Sequence, residues 1–286
     1  MTLARPISGS NRQDRSAKPL ARLLGLGRPI VMGVLNITPD SFSDGGRFFD
    51  PPAALDQARR LIAEGADILD VGAESTRPYG GAVAVSAEEE IRRLAPVLPE
   101  AIALGAPVSI DTMKASVAEH AIAVGAAIVN DVWGLQRDRE LAHVVAAHAV
   151  PVIIMHNREA ADPAIDIMAD IAAFFARSLE IATRAGIARQ NIVLDPGIGF
   201  GKTPEQSLVA IARLAELKSF GLPLLVGASR KRFIDKVSPV PPDQRLGGSI
   251  AAHLLAVENG AAMIRTHDVA ATVQALRVAA AIGSAR

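Results

Sequence analysis

The chain has 286 residues, thirty Lys+Arg against thirty Asp+Glu, no Cys, and half of its residues apolar with only 3% aromatic. A net charge of zero gives no global attraction to nucleic acid or an anionic membrane, so neither is expected as a partner, and any bound anion must be held by a local cluster. The lack of Cys excludes disulfides, thiolate metal sites and a Cys nucleophile. No apolar run approaches the roughly 18 residues of a membrane span, and a cytoplasmic location is expected.

Residues 1–28 are basic and polar, with an apolar stretch too short for a secretory signal, and are expected to form a flexible N-terminal extension. From residue 29 onward one pattern repeats to residue 286. Short aliphatic runs, read as strands, occupy 30–36, 66–72, 107–111, 126–131, 151–156, 191–195, 223–229 and 261–267. Between them lie Ala-rich stretches whose apolar residues recur three and four apart, the helical period, and several end in Gly. A core of Ala, Val, Ile and Leu suits parallel strands buried on both faces. Eight such units in about 250 residues predict a single-domain (β/α)8 TIM barrel, an α/β fold. A doubly wound sheet is the alternative, but no G-x-G-x-x-G turn follows the first run.

In a barrel the reactive residues stand at the C-terminal strand ends and in the loops that follow. Those positions are Asn36, Asp70, Asp111, Asn130 with Asp131, His156, Asp195, Ser229 with Arg230 and Lys231, and Arg265 with His267. Any one Asp or Asn there is as readily a turn residue or helix cap, but the whole set on one rim points to a ligand. Asp111, Asn130 and Asp195 suit a flat, amide-rich heterocycle, because buried carboxylates need hydrogen-bonding partners. Arg77, Lys231, Arg265 and His267, together with Asn36, suit a diphosphate and its metal. The segment PGIGFGKT (196–203) is not a nucleotide P-loop, since Pro196 occupies the place of the required Gly. Its glycines are expected to let the backbone approach a flat ligand.

Seven ordered segments carry a family resemblance: MGVLNITPDSFSDGG (32–46), DVGAESTRP (70–78), SIDTMKASVAEHAIAVGAAIVNDVWG (109–134), VIIMH (152–156), LDPGIGFGKT (194–203), GASRK (227–231) and IRTH (264–267). Together they resemble the dihydropteroate synthase family from about residue 30 to 282. The resemblance implies a (β/α)8 barrel, a homodimer, and Mg²⁺-assisted condensation of 6-hydroxymethyl-7,8-dihydropterin diphosphate with 4-aminobenzoate to dihydropteroate and pyrophosphate. It implies a pterin pocket of Asp111, Asn130, Asp195 and Lys231, a Mg²⁺ contact at Asn36, and diphosphate anchors at Arg77, Arg265 and His267. Asp111, Asp195, Lys231 and Arg265 are the expected catalytic set. The loop with Phe42 and Asp44, and that with Ser75, Thr76, Arg77 and Pro78, would close over the site. Phe200 and Lys231 would wall the 4-aminobenzoate pocket, where sulfonamides also bind. An aryl amine is a weak nucleophile, so the expected mechanism is dissociative and SN1-like, acting on the leaving group.

The chain departs from the family pattern around Tyr79 and Gly80, at Arg232, where many members carry Ser, and at Asp235, where Gly is common. Two rivals remain: a non-catalytic pterin-binding paralogue and a pterin-dependent methyltransferase, although the latter has no use for the cation set. Among the remaining residues, His120, His143, His148 and His253 read as surface or packing positions, and His156 as the pocket edge. Glu88, Glu89 and Glu90 read as a solvated first turn favoured by the helix dipole. Trp133 reads equally as pocket wall or loop packing.

Overall fold

In the computed structural model, residues 18–37, 50–74 and 85–285 are described. Eight parallel strands are present: β1 (Ile30–Asn36), β2 (Ile68–Gly72), β3 (Val108–Asp111), β4 (Ile128–Asp131), β5 (Val152–Met155), β6 (Ile192–Asp195), β7 (Leu225–Val226) and β8 (Met263–Thr266). The order is β6-β5-β4-β3-β2-β1-β8-β7, and a parallel bridge between Leu194 and Leu224 joins the two ends into a nearly closed barrel. The expected (β/α)8 fold is therefore observed. The seventh strand is far shorter than the run 223–229. Pro223 has no N–H to pair and only accepts, from the Leu194 N–H at 3.0 Å, so the sheet is thinnest at this seam.

The helices among the described residues are α1 (Lys18–Leu24), α2 (Pro51–Ala63), α3 (Ala87–Leu94), α4 (Leu98–Ala103), α5 (Ala115–Val124), α6 (Arg139–His148), α7 (Ile167–Ala185), α8 (Pro204–Ala212), α9 (Arg232–Val237), α10 (Leu246–Glu258) and α11 (Val269–Ser284). Their starts follow from local chemistry. Asp50, Ser86, Asp138 and Asp166 each cap a free backbone N–H, and Thr203 with Gln206 forms a reciprocal capping box before α8. Helix α7 stops at Gly186, whose φ of 86° is the left-handed geometry that Gly adopts without strain.

Two apolar layers result. The larger lies between strands and helices. The smaller fills the N-terminal half of the barrel with Ile30, Met32, Ile68, Ile128, Ile153, Val193, Leu225 and Met263. Leu20 and Leu23 of α1 pack into this second layer and stopper the barrel from below. Residues 18–28, grouped by the sequence with the flexible extension, thus belong to the folded unit from α1 onward; residues 1–17 lie outside the described residues.

Candidate active site

Alternation along each strand builds the site. Residues two apart share a face, so the inward residues Ile68, Ile128, Val193 and Met263 of the apolar layer are succeeded, one step toward the C-terminal rim, by Asp70, Asn130, Asp195 and Arg265. Parallel register sets Asp111 beside Asn130 on one side and Gly72 on the other. Within one layer the interior thus changes from hydrocarbon to charge.

Arg265 is the hub. Its Nε donates to Asp70 at 2.6 Å and its Nη2 to Asp111 at 2.8 Å, while the Asn130 amide donates to the same Asp70 oxygen at 3.1 Å. The free Oδ1 atoms of Asp70 and Asp111 are buried and unpartnered among the described residues. A buried carboxylate oxygen without a donor is costly, which makes these atoms acceptors suited to a ligand's N–H groups. Burial pushes Asp111 up to about 7, with the nearby Asp70 charge adding to the rise against the pull of Arg265. Burial likewise raises Asp195 to about 6, although the Gly197 N–H, at 2.7 Å from its Oδ1, and Lys231 oppose the shift.

Basic residues follow β7 and end β8, and among them Lys231 acts electrostatically on Asp195. Lys231 precedes α9, and its ammonium lies 4.0 Å from the centroid of the Phe200 ring, a cation–π contact that joins the two residues expected to wall the amine pocket. Arg230 before it has φ 56° and is held by Asp268 at 2.5 Å and by the Ser249 hydroxyl on its backbone N–H at 2.9 Å. His267 shares the rim, with Nδ1 3.0 Å from the Ser229 hydroxyl. Asn36 ends β1, aligned with Gly72. Phe42, Asp44, Ser75, Thr76, Arg77, Pro78, Tyr79 and Gly80 lie outside the described residues.

Several expectations change. His156 is not a pocket-edge group: it is 0% exposed, its Nε2 meets Asp170 at 2.9 Å, and its Nδ1 meets Lys202 at 2.6 Å. Burial, with Lys202 beside it, pushes His156 down to about 3, so the ring is neutral. Two glycines of 196–203 also serve packing of the chain on itself. A Cβ on Gly197 would fall 2.0 Å from the His156 carbonyl oxygen, and one on Gly201 2.4 Å from the Arg158 Cβ. Asp131 is the turn residue of the bland alternative, accepting from the Trp133 and Leu135 N–H groups at 2.8 and 2.5 Å. Trp133 has the Arg137 guanidinium 4.6 Å from its ring centroid. Glu90 is not solvated: it is buried and paired with Lys114 at 2.8 Å, and Lys114 also holds Glu74 at 2.5 Å. Asp235 is paired with Arg245 at 3.2 Å, and Arg232 is exposed.

The sequence places Asp70 on the rim but outside the ligand set, and it assigns nothing to Lys202. A strand-end Asp two residues beyond an inward Ile is the available signal for the first. A Lys inside the otherwise apolar and Gly-rich GIGFGKT is the signal for the second.

A parallel barrel with buried carboxylates gathered around an arginine at its C-terminal mouth is the class of barrel enzymes that bind their ligand at that rim, and the profile of the pterin binding enzyme family matches residues 32–267. The chain belongs to the pterin binding enzyme family. Among its relatives, dihydropteroate synthase of Bacillus subtilis (strain 168) is 44% identical over 243 residues, covering 85% of this chain and 84% of that protein. Dihydropteroate synthase of Escherichia coli (strain K12) is 44% identical over 271 residues, covering 92% and 95%. Among solved structures, Xanthomonas albilineans dihydropteroate synthase with 4-aminobenzoic acid superposes with a TM-score of 0.86 at 45% identity, covering 90% of this chain and 94% of that one. The Clostridium difficile enzyme in the presence of pteroic acid gives 0.85 at 46% identity, covering 90% and 97%.

Proposed function

We propose that this chain acts as a dihydropteroate synthase, a transferase that joins the CH₂ carbon of 6-hydroxymethyl-7,8-dihydropterin diphosphate to the nitrogen of 4-aminobenzoate. The observation that carries this reading is the mouth layer of Asp70, Asp111, Asn130, Asp195 and Arg265, in which Asp70 and Asp111 each keep a buried oxygen unpartnered among the described residues and Asp195 feels the Lys231 charge. Relatives of this name match the chain nearly end to end, and solved relatives hold 4-aminobenzoic acid and 7,8-dihydropteroate.

In this reading Asp111, Asn130, Asp195 and Lys231 bind the pterin, and Asn36, Arg77, Arg265 and His267 receive the diphosphate. Phe42, Asp44, Ser75, Thr76, Pro78 and Phe200 complete the amine side. The C–O bond to diphosphate breaks, the C–N bond forms, and one amine proton is released. Positive charge that develops on the pterin CH₂ faces the carboxylate layer, while the cations face the departing negative charge. A dry site protects the cation from water, which is why the reaction calls for closure over it. The Asn36 amide is a hard oxygen donor of the kind Mg²⁺ takes, and this ion is usually bound through few protein ligands plus substrate phosphates. When bound, Mg²⁺ would supply charge neutralisation on the diphosphate.

The proposal extends to a cytoplasmic homodimer sensitive to sulfonamides. The exposed Leu208, Leu255, Val278 and Ile282 lie on the neighbouring helices α8, α10 and α11 and offer apolar surface for self-association. No helix among the described residues is long and apolar enough to cross a membrane. The test of function is turnover with the pterin diphosphate, 4-aminobenzoate and Mg²⁺: dihydropteroate and pyrophosphate should rise one for one. Tight pterin binding without product would favour a non-catalytic paralogue instead.

A further inference from the structure

The turn between Asp195 and α8 is held by a buried lysine that has no task in the reaction outlined above. Lys202 is only 1% exposed, and its Nζ lies 2.6 Å from His156 Nδ1, 2.9 Å from the Gly197 carbonyl and 3.1 Å from the Phe200 carbonyl. An ammonium carries three donors and no acceptor, so these three acceptors match its charged form. Burial pulls Lys202 down to about 7, and the Asp195 charge pulls the other way.

The far end of this contact is fixed as well. Neutral His156 accepts from Lys202 on Nδ1 and donates from Nε2 to Asp170, which is itself paired with Arg158 at 2.9 Å. Gly197 and Gly201 close onto the backbone of His156 and Arg158 at distances where no Cβ fits. The loop after β6 is thereby clamped to the loop after β5. Phe200 at its tip meets the Lys231 ammonium, and Gly199 abuts the Lys231 stem, where a Cβ would stand 3.3 Å from Cδ.

We propose that Lys202 is a positioning residue for the arylamine side of the site: through the Gly197 and Phe200 carbonyls it sets where the Phe200 ring stands, without touching either substrate. The assignment rests on the synthase reading for its kinetic consequence, but not for its mechanical one. A methionine in its place would fill similar space and take a donor from the Phe200 carbonyl, the His156 ring nitrogen and the Gly197 carbonyl, which would keep only the Phe200 N–H at 3.1 Å.

The experiment compares wild type, Lys202→Met and His156→Phe, the last keeping the ring shape and Lys202 while removing the acceptor. Hydrogen exchange over residues 197–203, which needs no substrate, should rise at least tenfold in Lys202→Met and less in His156→Phe. With pterin diphosphate saturating, the KM for 4-aminobenzoate should rise tenfold or more in Lys202→Met and in the same direction in His156→Phe. Calorimetric affinity for the pterin diphosphate alone should change less than threefold. If Lys202→Met fails to fold, the same split measured in His156→Phe decides between support and refutation. Unchanged exchange would overturn the clamp. Faster exchange with an unchanged KM, or an equal loss of pterin affinity, would overturn the positioning role. A wild-type protein that makes no dihydropteroate refutes the synthase reading and with it the kinetic claim, whereas the exchange result still decides the clamp.

Discussion

Replacing Arg265 by Met tests the electrostatic design of the mouth layer. The guanidinium is bound to two carboxylates, one of them fully buried and the other nearly so. Breaking a buried pair by removing one partner typically costs roughly 3–5 kcal/mol, because the stranded charge has neither water nor counter-ion. The stranded acid can escape part of this by taking a proton, which makes the cost depend on pH. Asp111 already stands near 7 with Arg265 present, and losing Arg265 removes the influence that holds it down. A carboxyl whose folded pKa lies above its unfolded value contributes stability that is present at low pH and lost as pH rises through the folded value. The deficit of Arg265→Met should therefore widen between pH 6 and pH 8.5, reaching roughly 3–5 kcal/mol at the upper end. Urea unfolding at both pH values measures it. The double variant Arg265→Met/Asp111→Asn should regain part of the stability at pH 8.5 but none of the turnover. A deficit below about 1 kcal/mol, equal at both pH values, would refute the claim that Arg265 neutralises buried carboxylates.

Three further expectations rest on separate observations. Gly197→Ala would set a Cβ 2.0 Å from the His156 carbonyl oxygen at a φ of 64°, so it should destabilise by roughly 3 kcal/mol or more; a melting temperature within error of wild type would contradict the packing. Asp195 must be ionised to accept hydrogen bonds from a pterin and is raised to about 6, so pteroic acid affinity should fall toward tenfold per pH unit below 6. Calorimetry at pH 5 and 7.5 checks this in Asp111→Asn, which removes the pocket carboxylate that titrates near 7, and adding Asp195→Asn should abolish the remaining dependence. His253 is buried with neither ring nitrogen bonded among the described residues, and burial lowers it to about 4. A His whose folded pKa is depressed binds protons better when unfolded, so its penalty grows as pH falls below 6.5. Relative to wild type, His253→Leu should gain about 2 kcal/mol between pH 7 and pH 5, a change that paired unfolding curves would reveal or deny.

Much of the barrel was legible because parallel strands buried on both faces appear as uninterrupted aliphatic runs, and each run ends where the rim begins. The exception, β7, has a run as apolar as the others but is shortened at Pro223, where pairing depends on a missing N–H. Helix α1 was illegible for another reason. Seven residues are too few to hold a helix by local propensity, and its order comes from Leu20 and Leu23 meeting a barrel floor built from six other strands' side chains and β1. The rim residues were legible by place but not by partnership. Arg265 and Asp70 are 195 positions apart, and Lys202 and His156 are 46 apart, so neither pairing leaves a local pattern. Likewise, Glu90 resembles its neighbours Glu88 and Glu89 in sequence, and only the fold brings Lys114 to its inner side.

The central claim is that the carboxylate layer at the barrel mouth seats the pterin ring. A crystal of the wild-type protein soaked with pteroic acid tests it most directly. The account predicts the ring's amino and N–H groups within hydrogen-bonding distance of the Asp195 carboxylate and the Asn130–Asp111 side, with the benzoate arm running past Phe200 toward the rim. A pterin bound elsewhere, or seated there without a contact to any of these three residues, would contradict it.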